Sequence, residues 1–167
     1  MATLDNTVGG PSSNSYVDVA EADAYFESRV HSASWENSDT KEALLISASA
    51  MLDWFLKYKG SVATSTQSMK WPRVDVVLPD SSSVDSDVIP NPIKVATFEM
   101  ALAIVDEDIS LDSDLAGLSH VQAGQLVIKT NSNVRPNQKG NIPSRIKSIV
   151  RELVVNSGIS VRRVGRA

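Results

Sequence analysis

The longest helical pattern of apolar and polar positions runs from Thr40 to Lys59. At the helical spacing of 100° per residue, Glu42, Ser49, Asp53 and Lys57 fall in one narrow polar stripe. Leu44, Ala48, Met51, Leu52, Phe55 and Tyr58 take the opposite face, with Trp54 and Leu45 on its flanks. Most of the girth is apolar, which predicts a helix buried on more than one side, either internally or against another subunit. Asp39 stands as its N-cap with Glu42 three residues on, and Gly60 supplies the left-handed residue that ends it. Asp53 and Lys57 read as an i,i+4 ion pair.

Three shorter helices flank this one. Asp18 and Glu21 form a capping box before Ala20, Ala24, Tyr25 and Phe26, and that helix runs to about Val30. Trp35, in a polar connector, is expected to close over the core. Asn91-Pro92 opens a third helix with Ile93, Ala96, Thr97, Met100 and Ile104 on one face, broadened by Phe98, Leu102 and Val105. A last helix starts at Asn141 and Pro143, carries Ile146, Ile149, Val150 and Leu153, and ends around Asn156–Gly158. Between these, Ser61–Ser68 reads as loop, Trp71 as extended because proline follows it, and Pro79–Val88 as a long surface loop. Gly124–Lys129 predicts a strand, one arm of a small hairpin or an intersubunit strand. The fold class is therefore mainly α: a small bundle of about four helices with a short strand or hairpin and an extended C-terminal tail. Residues 1–15, containing Gly9-Gly10-Pro11, read as a flexible arm; 16–158 form the helical domain, with long loops at 61–90 and 106–120; and 159–167 form the tail.

Composition narrows the function. A chain of 167 residues without cysteine supports one core and excludes disulfides, thiolate ligands and a cysteine nucleophile. No run of 18 apolar residues offers a membrane span, and Met1–Ser15 lacks the basic and apolar segments of a secretory signal. The net charge of −4 conceals a division. From Lys129 onward nine basic residues face only Glu152, a balance of +8, whereas the first 128 residues carry 7 basic and 19 acidic residues, or −12. Such a dipolar chain suits nucleic acid at its basic end, an acidic protein surface, or copies of itself.

Catalytic chemistry finds little support. His31 and His120 stand far apart with no carboxylate at ligand spacing, and phosphate-binding glycine loops, nucleophile elbows and His-Glu-x-x-His are absent. Asp106-Glu107-Asp108 opposes the dipole of the third helix, but adjacent acids in a row do not converge on one metal ion. The pairs Asp85/Asp87 and Asp112/Asp114 fall in loops. The chain is expected to be no enzyme and to need no cofactor. Aromatic residues make up 5% and none follows Phe98, so the charge of the basic end lacks the rings that a base-stacking reader would use.

The order of features resembles a known family. Tyr16-Val17-Asp18-Val19-Ala20-Glu21-Ala22-Asp23-Ala24-Tyr25, the Trp35 connector, the Lys41–Gly60 helix and Trp71-Pro72-Arg73 are followed by Ile89-Pro90, Ile142-Pro143 and a Val-Arg-Arg tail. This series is similar to the tailed-phage head–tail connector (adaptor) family, some of whose members carry the label DnaT-like single-stranded DNA-binding protein. The resemblance covers Tyr16 to the C-terminus, and the acidic stretch Asp106–Leu118 departs from it. It implies a structural virion protein, made in the host cytoplasm, forming a ring of twelve copies under the portal. Its implied partners are itself, the portal protein, a downstream tail or neck protein, and genomic double-stranded DNA passing through without sequence-specific contact. The tail Ile159–Ala167, through Ile159, Val161, Arg162, Arg163, Val164 and Arg166, would pair with the portal by strand addition or groove docking. On this reading the spare apolar surface at Leu45, Trp54 and Tyr58 is a subunit contact. Tyr16, Trp71, Pro72 and Arg73 form the structural motif, with Trp71 as anchor and Arg73 as partner to nearby acids. The alternative is a single-stranded DNA-binding replication accessory protein.

Overall fold

A computed structural model describes residues 3–107, 120–123, 126–129 and 142–155, the two short inner stretches by backbone alone. Helices α1 (Val19–Glu27), α2 (Ala33–Glu36), α3 (Lys41–Phe55), α4 (Asn91–Glu107) and α5 (Ser144–Ile149) make the fold mainly helical. Strands β1 (Ser61–Val62) and β2 (Arg73–Val74) pair antiparallel, as do β3 (His120–Ala123) and β4 (Leu126–Lys129). The predicted strand is thus one arm of a hairpin. The fifth helix beyond the expected four is α2, a single turn that seats Trp35 with no measurable exposure.

The core lies between α3 and α4. Every residue from Ala96 to Ile104 is buried, so α4 runs through the middle of the protein rather than over its surface. Tyr25 stacks on Phe98 with ring centroids 4.8 Å apart, and Phe26 lies 4.9 Å from Trp35, joining α1 and α2 to α4. Asp18 caps α1 in the predicted box: its carboxylate accepts from the Glu21 N–H at 2.8 Å, and Glu21 accepts from the Asp18 N–H at 3.3 Å. Of the expected stripe of the last helix, Ile146, Val150 and Leu153 are buried and Ile149 is half-buried, with Ile142 adding to it; the helix itself is shorter than expected. The helix stops at Ile149, because Leu153–Val155 leave it to pair with Lys57–Lys59: the Lys59 N–H donates to Leu153 O at 2.9 Å and the Val155 N–H to Lys57 O at 2.7 Å.

The same pairing corrects the C-terminal end of α3. The helix ends at Phe55, four residues before Lys59, and Leu56 is already extended (φ −102°, ψ 140°). Gly60 does not cap it. With φ +68° it turns the chain into β1 where an added Cβ would stand 2.1 Å from the Val74 carbonyl oxygen, a position only glycine can hold. At the other end Thr40, not Asp39, occupies the N-cap position, without a side-chain hydrogen bond to the helix. Residues 3–15 correct the flexible-arm reading. The N–H groups of Asn14 and Ser15 donate to Asp5 O at 2.9 and 3.2 Å, the Ser68 N–H donates to Gly10 O at 3.1 Å, and Ser13 and Ser15 are buried. A polar segment with this many internal acceptors satisfies its backbone against itself and the core. Within 61–90, read as loop, lies the β1–β2 hairpin. Residues 108–119 of the 106–120 loop, and the tail from 156 onward, lie outside the described residues.

Candidate functional site

Of the four residues of the polar stripe, Ser49 and Asp53 are buried. The chain entering α1 lies along that side of the helix. The Tyr16 N–H donates to Ser49 Oγ at 3.1 Å, and the Tyr16 hydroxyl makes a very short hydrogen bond to Asp53 Oδ1. Asp53 Oδ2 accepts from the Lys70 N–H at 3.0 Å. Lys57 is exposed, so the expected Asp53–Lys57 pair is replaced by the longer-range bonds of Asp53. Burial pushes the Asp53 carboxyl above its usual range, against the lowering effect of the Tyr16 and Lys70 hydrogen bonds and of the Lys70 and Arg73 charges. Burial, with Asp53 beside it, likewise drives the Tyr16 phenol far above an ordinary tyrosine.

Met69–Arg73 completes the site by supplying cations to the end of α3. Lys70 Nζ donates to the carbonyls of Asp53 and, at 3.3 Å, Leu56, which are left without intrahelical partners. Arg73 donates from Nε to Lys59 O at 2.6 Å, from Nη2 to Gly60 O at 2.6 Å and from Nη1 to Lys70 O at 3.0 Å. The expectation that Arg73 would pair with acids is therefore corrected: its bonds go to three carbonyls, with Asp53 acting on it only through charge. Trp71, 1% exposed, sets its ring edge-on to Tyr58 at 5.6 Å, and the Trp71–Pro72 peptide is cis. Tyr16, Trp71, Pro72 and Arg73 are thus brought to one place as a structural motif that closes the C-terminal end of α3. The buried Asp53 carboxylate and Tyr16 phenol, the half-buried Lys70 and the buried Arg73 form a network that fixes one packing, with Tyr58 packed against it through its ring. Asp53→Asn keeps an acceptor for Tyr16 and is expected to cost about 1 kcal/mol in urea unfolding, the size of one weakened buried hydrogen bond. It does not remove the fold.

The proposed subunit-contact residues separate. Leu45 (0% exposed) and Tyr58 (6%) lie in the core of the chain itself, which corrects their reading as surface contacts, whereas Trp54 is 76% exposed and its neighbour Phe55 45%. Position on the flank of an apolar face left Leu45 and Trp54 indistinguishable by sequence; the segment entering α1 and the Leu153–Val155 pairing decide which side is covered. Ile159, Val161, Arg162, Arg163, Val164 and Arg166 lie outside the described residues. Sequence reading missed Glu99, which is buried in α4 and bonded by Tyr25, Arg29 and Arg145. A lone acid inside the apolar run Ala96–Ile104 was the available signal. Among the described residues no group of His, Asp or Glu is placed to hold a metal ion, and no helix is long and apolar enough to cross a membrane.

These features define a mainly helical protein with a buried polar network at the C-terminal end of α3 and, among the described residues, Trp54 and Phe55 exposed beside it. A family model described as "Putative DnaT-like ssDNA binding protein" matches residues 2–167, and the chain belongs to that family. No curated protein and no solved structure matches it.

Proposed function

We propose that the chain is a non-enzymatic structural protein of a tailed-phage virion, a head–tail connector whose copies form a ring of twelve beneath the portal. The observation that carries this reading is Trp54, 76% exposed on α3, a helix whose Leu44, Leu45, Met51 and Leu52 are buried. An exposed tryptophan on a rigid element is an interface anchor, and a heterologous contact repeated around an axis closes a ring. The similarity of the Tyr16–Tyr25 opening and of Trp71-Pro72-Arg73 to connector proteins supplies the rest: the basic tail engages the portal, a tail or neck protein binds below, and the genome passes through the centre. Trp54→Asp is expected to leave the urea midpoint nearly unchanged, as surface substitutions do within about 0.5 kcal/mol, and to abolish particles seen by sizing and negative-stain imaging in the presence of portal. Global unfolding of that variant, or rings that form undiminished, would remove Trp54 from the contact.

A second reading, single-stranded DNA binding, is favoured by the description of the family and by the place of Trp54 beside Phe55 and Lys57, rings and a cation at one helix end. A base-stacking platform of this kind gives oligonucleotide mobility shifts at low salt that vanish steeply as salt rises. A connector without sequence-specific contacts gives weak binding at most, and rings by imaging.

A further inference from the structure

The outer face of α3 is continuous from its exposed tryptophan to a groove at the other end. Ala43, Ser47, Ala50 and Trp54, spaced by four, three and four residues, share that face; Ala43 and Ser47 are exposed and Ala50 is half-buried. The groove, about 750 Å³, has Val19, Ala43 and Ile46 in its lining and Asp39 and Glu42 beside them. Both acids are exposed, whereas Lys41, the cation of the same lining, is tied to Asp23 at 2.8 Å. Apolar floor and acidic edge call for an extended peptide that alternates apolar and basic residues.

The chain contains one. We propose that its own C-terminal segment, Ile159–Ala167, docks in this groove and along the outer face of α3, covering Trp54 until a neighbouring copy displaces it. Val155, the last described residue, is held beside Lys57 by its N–H bond to Lys57 O, at the Trp54 end of the helix. From Phe55 back to Ala43 is about 18 Å at the helical rise of 1.5 Å per residue. An extended chain spans this in about six residues, which would bring Val161 to the groove and the long side chains of Arg162 and Arg163 within reach of its acidic edge. The twelve residues from Asn156 to Ala167 are enough. The docking itself needs no partner; its role in withholding the ring contact rests on the assembly reading above.

Trp35 and Trp71 are 0% and 1% exposed, so acrylamide quenching of tryptophan fluorescence reads Trp54. The full chain should be quenched less than a variant ending at Val155, and a peptide of residues 156–167 added in excess should restore protection to that variant. Arg162→Glu with Arg163→Glu in the full chain should lose the protection, and adding Asp39→Arg with Glu42→Arg should bring it back. Equal quenching of the full and shortened chains, both sedimenting as monomers, would overturn the proposal. Protection found only at concentrations where the full chain self-associates would place the tail on a second copy and also overturn it. Protection in the monomer, with no assembly of the full chain when portal is supplied, would retain the docking and refute the connector reading alone.

Discussion

Replacing Trp71 by alanine is expected to cost about 3–5 kcal/mol, the range for truncating a fully buried aromatic. Stabilities of whole domains are about 5–15 kcal/mol, so the variant should lose much of its margin and unfold at a far lower urea concentration than the parent. The reason lies in what the indole supports. It packs edge-on against Tyr58, whose own segment pairs with Val154, and it sits between Lys70 and Arg73, which donate to the carbonyls at and beyond the end of α3. Collapse around an alanine would displace both cations and leave those carbonyls without donors. Trp71→Phe should be milder for two reasons. It keeps a ring against Tyr58, and it removes an indole N–H that is buried with no acceptor. Trp54→Ala is the control, an exposed tryptophan whose loss should move the midpoint by about 0.5 kcal/mol or less. Equal costs for Trp71→Ala and Trp54→Ala would dismiss the anchoring role of the Trp-Pro-Arg segment.

The elements that could be read from sequence are those fixed by local chemistry. The capping box at Asp18, the start of α4 at Asn91-Pro92 and the burial of Ile146 and Val150 each follow from residues within one or two turns of each other. The elements that were misread end where a distant segment intervenes. Helical periodicity continues through Tyr58, but pairing with Leu153–Val155 draws Lys57–Lys59 out of the helix, and Gly60 then serves a turn rather than a cap. Residues 3–15 look like an arm because they are polar and glycine-rich, yet their backbone finds its partners at Asp5, Thr7 and Ser68. The site divides in the same way. Tyr16, Trp71, Pro72 and Arg73 were legible as a recurrent motif without the reason for it. That reason is Asp53 and Lys70, and on a helical wheel Asp53 belongs with Lys57 on a polar edge. Only the 37-residue separation between Tyr16 and Asp53, closed by the chain entering α1, turns that edge inward.

Glu99→Ala should be the second most damaging substitution. The Glu99 carboxylate accepts from the Tyr25 hydroxyl at 2.7 Å, from Arg29 Nε and Nη2 at 2.5 and 3.0 Å, and from Arg145, with an Nη2–Oε2 distance of 2.7 Å. One acid thus holds the end of α1 and the start of α5 to α4. Breaking a fully buried ion pair costs about 3–5 kcal/mol; Arg145 is half-exposed and regains water, so about 2–4 kcal/mol is expected here. The pH dependence identifies the cause. Burial would raise the carboxyl, but the hydrogen bonds from Arg29 and Tyr25 and the charges of Arg145 and Arg29 outweigh it and hold Glu99 below the ordinary value of 4.5. A folded-state value below the unfolded one means stability that is fully present above pH 4.5 and lost as pH falls through the folded-state value. Asp53 has the opposite sign: its carboxyl is raised, so its contribution is lost as pH rises from 3.8 through its folded-state value. Urea midpoints measured against pH separate the two. Glu99→Gln should be less stable than the parent near neutrality and converge on it below pH 4.5, whereas Asp53→Asn should remove part of a loss that occurs as pH rises above 3.8. If the Glu99→Gln curve stayed parallel to the parent through the acid range, the carboxylate would be filling space rather than holding charge, and the joining of α1 and α5 to α4 would rest on the stack of Tyr25 with Phe98 and the burial of Ile146.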